Sequence, residues 1–483
     1  MSIFKRLHLD EVITSIPELG PTIPDGGNSW LVLFGIMIVQ MTVPSVLSMY
    51  GIVLAHLVEN NRKFDFDVWS EKIIVTPILM TACCCLADPW TRTIVSLASV
   101  PRLIALIGIA LLSIGILASG YLATGGVGAY LASLSAGAIM GIGASFIMIQ
   151  SEKILQKHFR IKLPIASTFI NIAFTTGLIL APLVALALFT RLGIQAGLMA
   201  MVLFFFPTLI AIGFLKVPGK KVYSPYTRLF NDEEEAGPSF RMVEELRDNF
   251  PVDSNKNTET PNGIFAEGGT AYSYDDSEDI NLFVSSSNNI RPKWKENLQI
   301  FKMIKFWISM IAFAGVKSGT MLFWILLPPL ALMKISSANL FTAVILSIIG
   351  GSGTLVSSII SYWNPNNARN LIFGFSNWIC SFVLLGLTFG ENYSLFVLLA
   401  LFGGISIGGL VSSQEFAFQN TLGTHIASKA CAILNTCIGT IILLLCLIQD
   451  MYLCLRIVAV IQLISGTYWV LSPLFAAIKK RCR

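Results

Sequence analysis

The chain has 483 residues, of which 54% are hydrophobic and only 13% charged, with a formal net charge of +5 and a mean hydropathy of +0.72. Soluble domains carry about 25% charged residues, so this composition excludes an ordinary soluble fold. The small, dispersed excess of Lys and Arg also excludes a nucleic-acid-binding face. What remains is an all-α membrane protein whose first partner is the lipid bilayer.

In chain order, Met1 to Gly27 is polar and carries Asp10, Glu11 and Glu18, which is no cleavable signal. Residues 1–28 are expected to be a cytoplasmic N-terminal tail. Apolar runs of about 20 residues, enough to cross a ~30 Å hydrocarbon core, then recur near 30–58, 70–90, 99–122, 127–150, 163–190, 194–215, 304–330, 337–362, 370–389, 393–415, 425–449 and 451–477. They predict about twelve helices in two six-helix bundles, over 29–216 and 303–478. Residues 217–302 read as a disordered acidic cytoplasmic linker. Asp232 to Glu235 and Asp275 to Asp279 lie there among Ser, Asn, Gly and Pro, too polar to bury a core. Ser273 and Ser277 belong to that solvated run.

Short loops with excess Lys and Arg mark the cytoplasmic side. Lys5, Arg6, Arg92, Arg102, Lys153, Lys157, Arg160, Lys162, Arg369, Lys429 and the tail 479–483 fall on one side. On the other, Arg62 and Lys63 are offset by Glu59, Asp65 and Asp67. Both termini are therefore expected in the cytoplasm. Asn392-Tyr393-Ser394, on the outer side, sits too near the membrane to serve well as a glycosylation site. The basic tail holds Cys482, and the other cysteines read as small apolar residues without zinc-ligand spacing. His158 and His425 read as solvated loop residues. No metal, cofactor or catalytic constellation is expected. Glycine clusters such as Gly350-Gly351-Ser352-Gly353 lack the Lys-Ser/Thr ending of a phosphate loop and read as helix-packing positions, as do Gly137 and Gly141.

Phe306 to Leu330 contains a single full charge, Lys317, at its middle. Holding an ammonium there costs roughly 3 kcal/mol on insertion scales, and either end lies about 18 Å away, beyond the reach of the side chain. Two readings stand: a lysine paired inside the helix bundle, or a lysine facing a substrate path. No carboxylate lies at its depth, and Thr320 and Trp324 share its helical face, a mixture that suits a small organic acid. Gln40, Asn171, Asn435 and Gln462 are the other polar groups at depth, each serving equally well as an interhelical hydrogen-bonding residue. Asp88, Glu415, Lys162 and Arg456 lie near membrane faces and are candidates for salt bridges that latch alternate conformations. Arg456 has Asp450 as its nearest acid, in poor helical registry. Pro328-Pro329 is expected to break the helix, as a gate or as a plain stop.

Pro24-Asp25-Gly26-Gly27-Asn28-Ser29-Trp30 resembles the Asp-Gly-Gly-aromatic-Gly-Trp opening of the monocarboxylate transporter family, in the major facilitator superfamily. Gly141-Ile142-Gly143 through His158-Phe159, and Lys162-Leu163-Pro164-Ile165-Ala166 on to Gly177, are similar to its fourth and fifth spans. Gln414-Glu415 is similar to its aromatic-Glu position. The resemblance implies the twelve-helix major facilitator fold with alternating access. In the family, a first-span lysine and an eighth-span Asp/Arg pair handle the anion and the proton. Here those positions fall on Ser48, Gly353 and Ser357, so the chain resembles an atypical member.

The expectation is a secondary transporter of small organic anions, monocarboxylates among them, with proton coupling left open. Its substrate site would draw on Lys317, Gln40, Ser48, Asn171, Thr320, Trp324 and Asn435. A plasma-membrane location and a single-span immunoglobulin-like accessory protein are implied by the resemblance alone. The alternatives are a carrier of neutral or amphipathic solutes, of the amino acid or hormone type, and a non-transporting receptor or scaffold.

Overall fold

A computed structural model describes residues 26–60, 66–98, 100–122, 128–216, 300–363, 366–445, 447–448 and 450–481. The N-terminal tail as far as residue 25, nearly all of the acidic linker with Ser273 and Ser277, and Cys482 lie outside the described residues. So do the side chains of His425 and Lys429. The described helices belong to one compact unit over Ile23–Pro218 and Glu296–Arg483.

The first half runs through α1 (Asn28–Gln40), α2 (Thr42–Asn60), α3 (Phe66–Leu97), α4 (Pro101–Leu122), α5 (Gly128–His158), α6 (Leu163–Met201) and α7 (Phe206–Ile212). The second half comprises α8 (Ile304–Lys334), α9 (Leu340–Trp363), α10 (Asn366–Phe389), α11 (Tyr393–Leu422), α12 (Thr424–Leu445) and α13 (Met451–Arg481). Ten helical stretches among the described residues are long and apolar enough to cross a membrane, and Ala430–Leu445 is a shorter apolar helix. The bonds Met41 N–H to Met37 O and Ser45 N–H to Met41 O carry α1 into α2, so Asn28–Asn60 acts as one stretch. Leu163–Ile212 is 50 residues long and turns at Gly193, whose φ of 78° is left-handed and cheap only for glycine. This is the boundary expected between the runs 163–190 and 194–215.

In lipid, apolar side chains gain little by leaving their solvent, so close backbone approach and van der Waals packing hold such helices together. Small residues permit that approach. Gly137 and Gly141 of α5 lie against the Thr76 and Met80 carbonyls of α3, and Gly143 lies against Gly108 of α4. In the second half, Gly404 of α11 lies on Gly350 of α9, and Gly374 of α10 on Gly466 and Val470 of α13. Phe313 of α8, Phe373 of α10 and Trp469 of α13 form an aromatic layer, with centroids 5.2–6.4 Å apart.

The halves meet along three seams: α2 with α8, α3 with α12, and α6 with α9. Each has a glycine at the contact. Gly51 faces the Trp324 carbonyl, Gly439 lies against Ala82 O and Leu86, and Gly351 receives the Ile179 side chain. Helix α8 is the centre of the assembly, with 83% of its apolar window buried against 44–72% for the other long stretches. It runs unbroken through Pro328 and Pro329, which corrects the expected helix break. Neighbouring helices hold the turn that the prolines weaken.

Candidate functional site

Every residue of α8 from Ala312 to Leu332 is buried except Lys317, which is half-exposed. A charge on the most enclosed helix therefore reaches an opening in the packing. Lys317 forms no ion pair or hydrogen bond among the described residues. It lies within electrostatic reach of Cys84 and Cys85 on α3, across the seam. Above it, Ser318 to Leu332 is sealed.

One turn beyond Cys84 on α3 lies Asp88, also within electrostatic reach of that cysteine. Asp88 accepts from Arg92 Nε at 2.7 Å, with the acid side chain 8% and the arginine 30% exposed. Arg92 Nη2 also donates to Glu152 Oε2 of α5 at 3.3 Å. The same nitrogen reaches Cys431 Sγ of α12 at 3.8 Å, and Asn435 Nδ2 reaches that sulfur at 3.9 Å. Glu415, exposed near the end of α11, is close enough to Arg92 and Glu152 to interact with both charges. Arg92 thus gathers carboxylates from both halves and touches α12 across the seam. From sequence Arg92 counts only among the basic residues that mark one membrane side, and Glu152 is not singled out. The signal available was the (i, i+4) spacing of Asp88 and Arg92 on a helix end.

At the opposite end of α2, Glu59 Oε1 accepts the backbone N–H of Leu340, the first residue of α9, at 3.1 Å. A carboxylate at a helix N-terminus is stabilised by the unpaired N–H groups and the helix dipole. This bond also crosses between the halves. Beside it lies a cavity of about 520 Å³ lined by His56, Leu186, Arg191 and Asn339 among others.

The remaining candidates are placed as follows. Thr320 and Trp324 lie on the Lys317 face of α8, 9% and 1% exposed. Asn435 joins the Arg92 cluster through Cys431. Ser48 donates to Leu178 O of α6 at 3.0 Å and is 1% exposed, so its hydroxyl serves helix packing inside the first half. Gln40 is buried and Asn171 half-buried, and no hydrogen bond among the described residues joins either to Lys317. Gln462 is buried in the second half and donates to Gly315 O at 3.1 Å. Of the four latch candidates, Asp88 and Glu415 converge on Arg92, whereas Lys162 and Arg456 do not. Lys162 Nζ sits 6.0 Å from the Trp30 ring, and Arg456 lies 5.3 Å over Phe389. Asp450 accepts instead from the Tyr452 N–H. His158 corrects the expectation of a solvated ring. It is 4% exposed, with Nδ1 at 3.1 Å from Ser29 Oγ and Nε2 at 2.6 Å from Lys216 O, tying α1 to the end of the first half.

The model of the Major Facilitator Superfamily matches residues 89–445. No curated protein sequence matches the chain. Among solved structures, a mutant of the peptide transporter POT is similar with a TM-score of 0.59 and 12% identity, over 93% of this chain and 96% of that one. A POT family transporter in complex with 5-aminolevulinic acid gives 0.56 and 12%, over 93% and 98%. The peptide transporter POT in complex with sulfate gives 0.56 and 13%, over 93% and 96%. At these identities the likeness is one of fold.

Proposed function

The chain belongs to the major facilitator superfamily, and we propose from that membership that it is a secondary transporter of small organic anions, monocarboxylates among them. Its twelve spans would form two six-helix bundles that rock about the α2/α8, α3/α12 and α6/α9 seams, with both termini in the cytoplasm and the protein in the plasma membrane. The observation that carries the anion reading is Lys317: the one residue of the Ala312–Leu332 stretch that is not buried, without an acidic partner among the described residues. An uncompensated ammonium at a seam favours an anion arriving from the path, because desolvated charge is costly unless paired.

In this reading the Asp88–Arg92–Glu152 cluster, with Glu415 and Cys431, is the inner latch, and the Glu59–Leu340 bond is the outer one. Each must break in one half of an alternating-access cycle. A single-span accessory protein would act in delivery to the surface. The test is uptake of labelled monocarboxylates, amino acids and neutral solutes, with and without an inward proton gradient. Uptake confined to carboxylates supports the proposal. Uptake indifferent to solute charge overturns it in favour of a neutral or amphipathic cargo, and movement of no solute favours a receptor.

A further inference from the structure

The face of α8 that begins at Lys317 continues as a row of polar groups toward Pro329. Thr320 Oγ1 and Trp324 Nε1 are both buried without a hydrogen-bond partner among the described residues. Beyond them come two backbone carbonyls. In a regular helix the Trp324 and Ile325 oxygens would accept from the N–H groups four residues on, at positions 328 and 329. Both of those are proline, which has no N–H to give. The two oxygens lie against Gly51 of α2. A methyl placed on Gly51 would collide with Trp324 O, and would lie 3.5 Å from Ile325 O and 3.2 Å from Pro328 Cγ. Glycine thus lets α2 close over the carbonyls, with at best weak C–H···O contacts in place of the missing bonds. Acceptors of this kind, unpaired by their own helix inside a membrane-spanning bundle, are tolerated where they are buried in protein or line a water-filled cavity.

From this we infer that the Trp324 and Ile325 carbonyls are a hydrogen-bond-acceptor subsite of the translocation path, covered by Gly51 in this conformation and offered to cargo when α2 and α8 part. The inference rests on the carrier reading and sharpens its substrate class. Trp324 lies seven residues from Lys317, about 10 Å along the helix. The cargo is therefore a carboxylate held at Lys317 whose chain bears a hydroxyl or ammonium donor at its far end. Two-carbon and three-carbon hydroxy acids are too short to span the row.

The experiment compares octanoate with 8-hydroxyoctanoate as inhibitors of labelled monocarboxylate uptake, in the wild type and in Pro328→Ala/Pro329→Ala. The alanines restore the two N–H groups and so occupy the carbonyls within the helix. The wild type is expected to be inhibited by the hydroxylated acid at several-fold lower concentration, and the double variant to lose that preference while still transporting. Equal inhibition in the wild type, or a preference that survives in the variant, overturns the subsite. Thermal shift of the purified wild type with each acid provides an independent reading should the variant not fold. Greater stabilisation by the hydroxylated acid supports the subsite, and equal stabilisation rejects it. Should no monocarboxylate enter while this selective stabilisation persists, the carrier reading fails and the acceptor site stands.

Discussion

Arg92 is where single side chains matter most. Asp88 is 8% exposed and pairs, among the described residues, with the single cation Arg92, whereas Glu152 is 44% exposed. Removing Arg92 as alanine strands a buried carboxylate and is expected to cost about 3 kcal/mol. Glu152→Gln loses a solvent-screened partner and should cost under about 1 kcal/mol. Thermal unfolding of the two variants in detergent measures the difference, and equal losses would show that Asp88 is not held by Arg92. Sequence made Asp88 and Glu415 visible as charges near a membrane face, but not their convergence, since it joins α3, α5, α11 and α12 through tertiary contact. His158 was misread for a related reason: its two partners, Ser29 and Lys216, lie far away in the chain.

At the level of elements, the apolar runs announced nearly every helix, because length and hydropathy set them. The role of individual glycines was less legible. Gly137 and Gly141 pack inside one half, as their spacing implied, yet Gly51, Gly351 and Gly439 lie between halves, which no local pattern encodes. Their tolerance should differ with what they touch. Gly51→Leu meets the backbone of α8, which cannot yield, and is expected to cost about 2 kcal/mol or more and to abolish transport. Gly351→Ala collides with Cγ1 of Ile179, a β-branched side chain that has to shift, and should cost about 1 kcal/mol, less than Gly51→Leu. Melting temperature and uptake of the two variants test the contrast, and a tolerated Gly51→Leu would contradict the close α2–α8 approach.

For the whole molecule, the two cross-half contacts at opposite ends, Arg92 with Cys431 and Glu59 with Leu340, define what has to alternate. Glu59→Leu removes the acceptor at the α9 N-terminus, so the side bearing Glu59 should open more often. A cysteine placed at Thr190, which lines the adjacent cavity, should then react several-fold faster with an impermeant thiol reagent applied to the side that bears Glu59, the outer side in the proposed orientation. Glu59→Gln, which keeps an oxygen acceptor, should react at a rate between the two. An unchanged rate in Glu59→Leu would remove Glu59 from the gating scheme. The charged positions of the monocarboxylate transporter family that the sequence resembles fall here on Ser48, Gly353 and Ser357, and Ser48 is committed to packing. In the proposed function, holding an anion therefore falls to Lys317.

Uptake by Lys317→Gln, set beside Lys317→Arg and normalised to protein at the cell surface, tests that dependence most directly. Loss of anion uptake in the glutamine variant, with partial activity in the arginine variant, is the predicted result. Undiminished anion uptake by Lys317→Gln at normal surface abundance would contradict it.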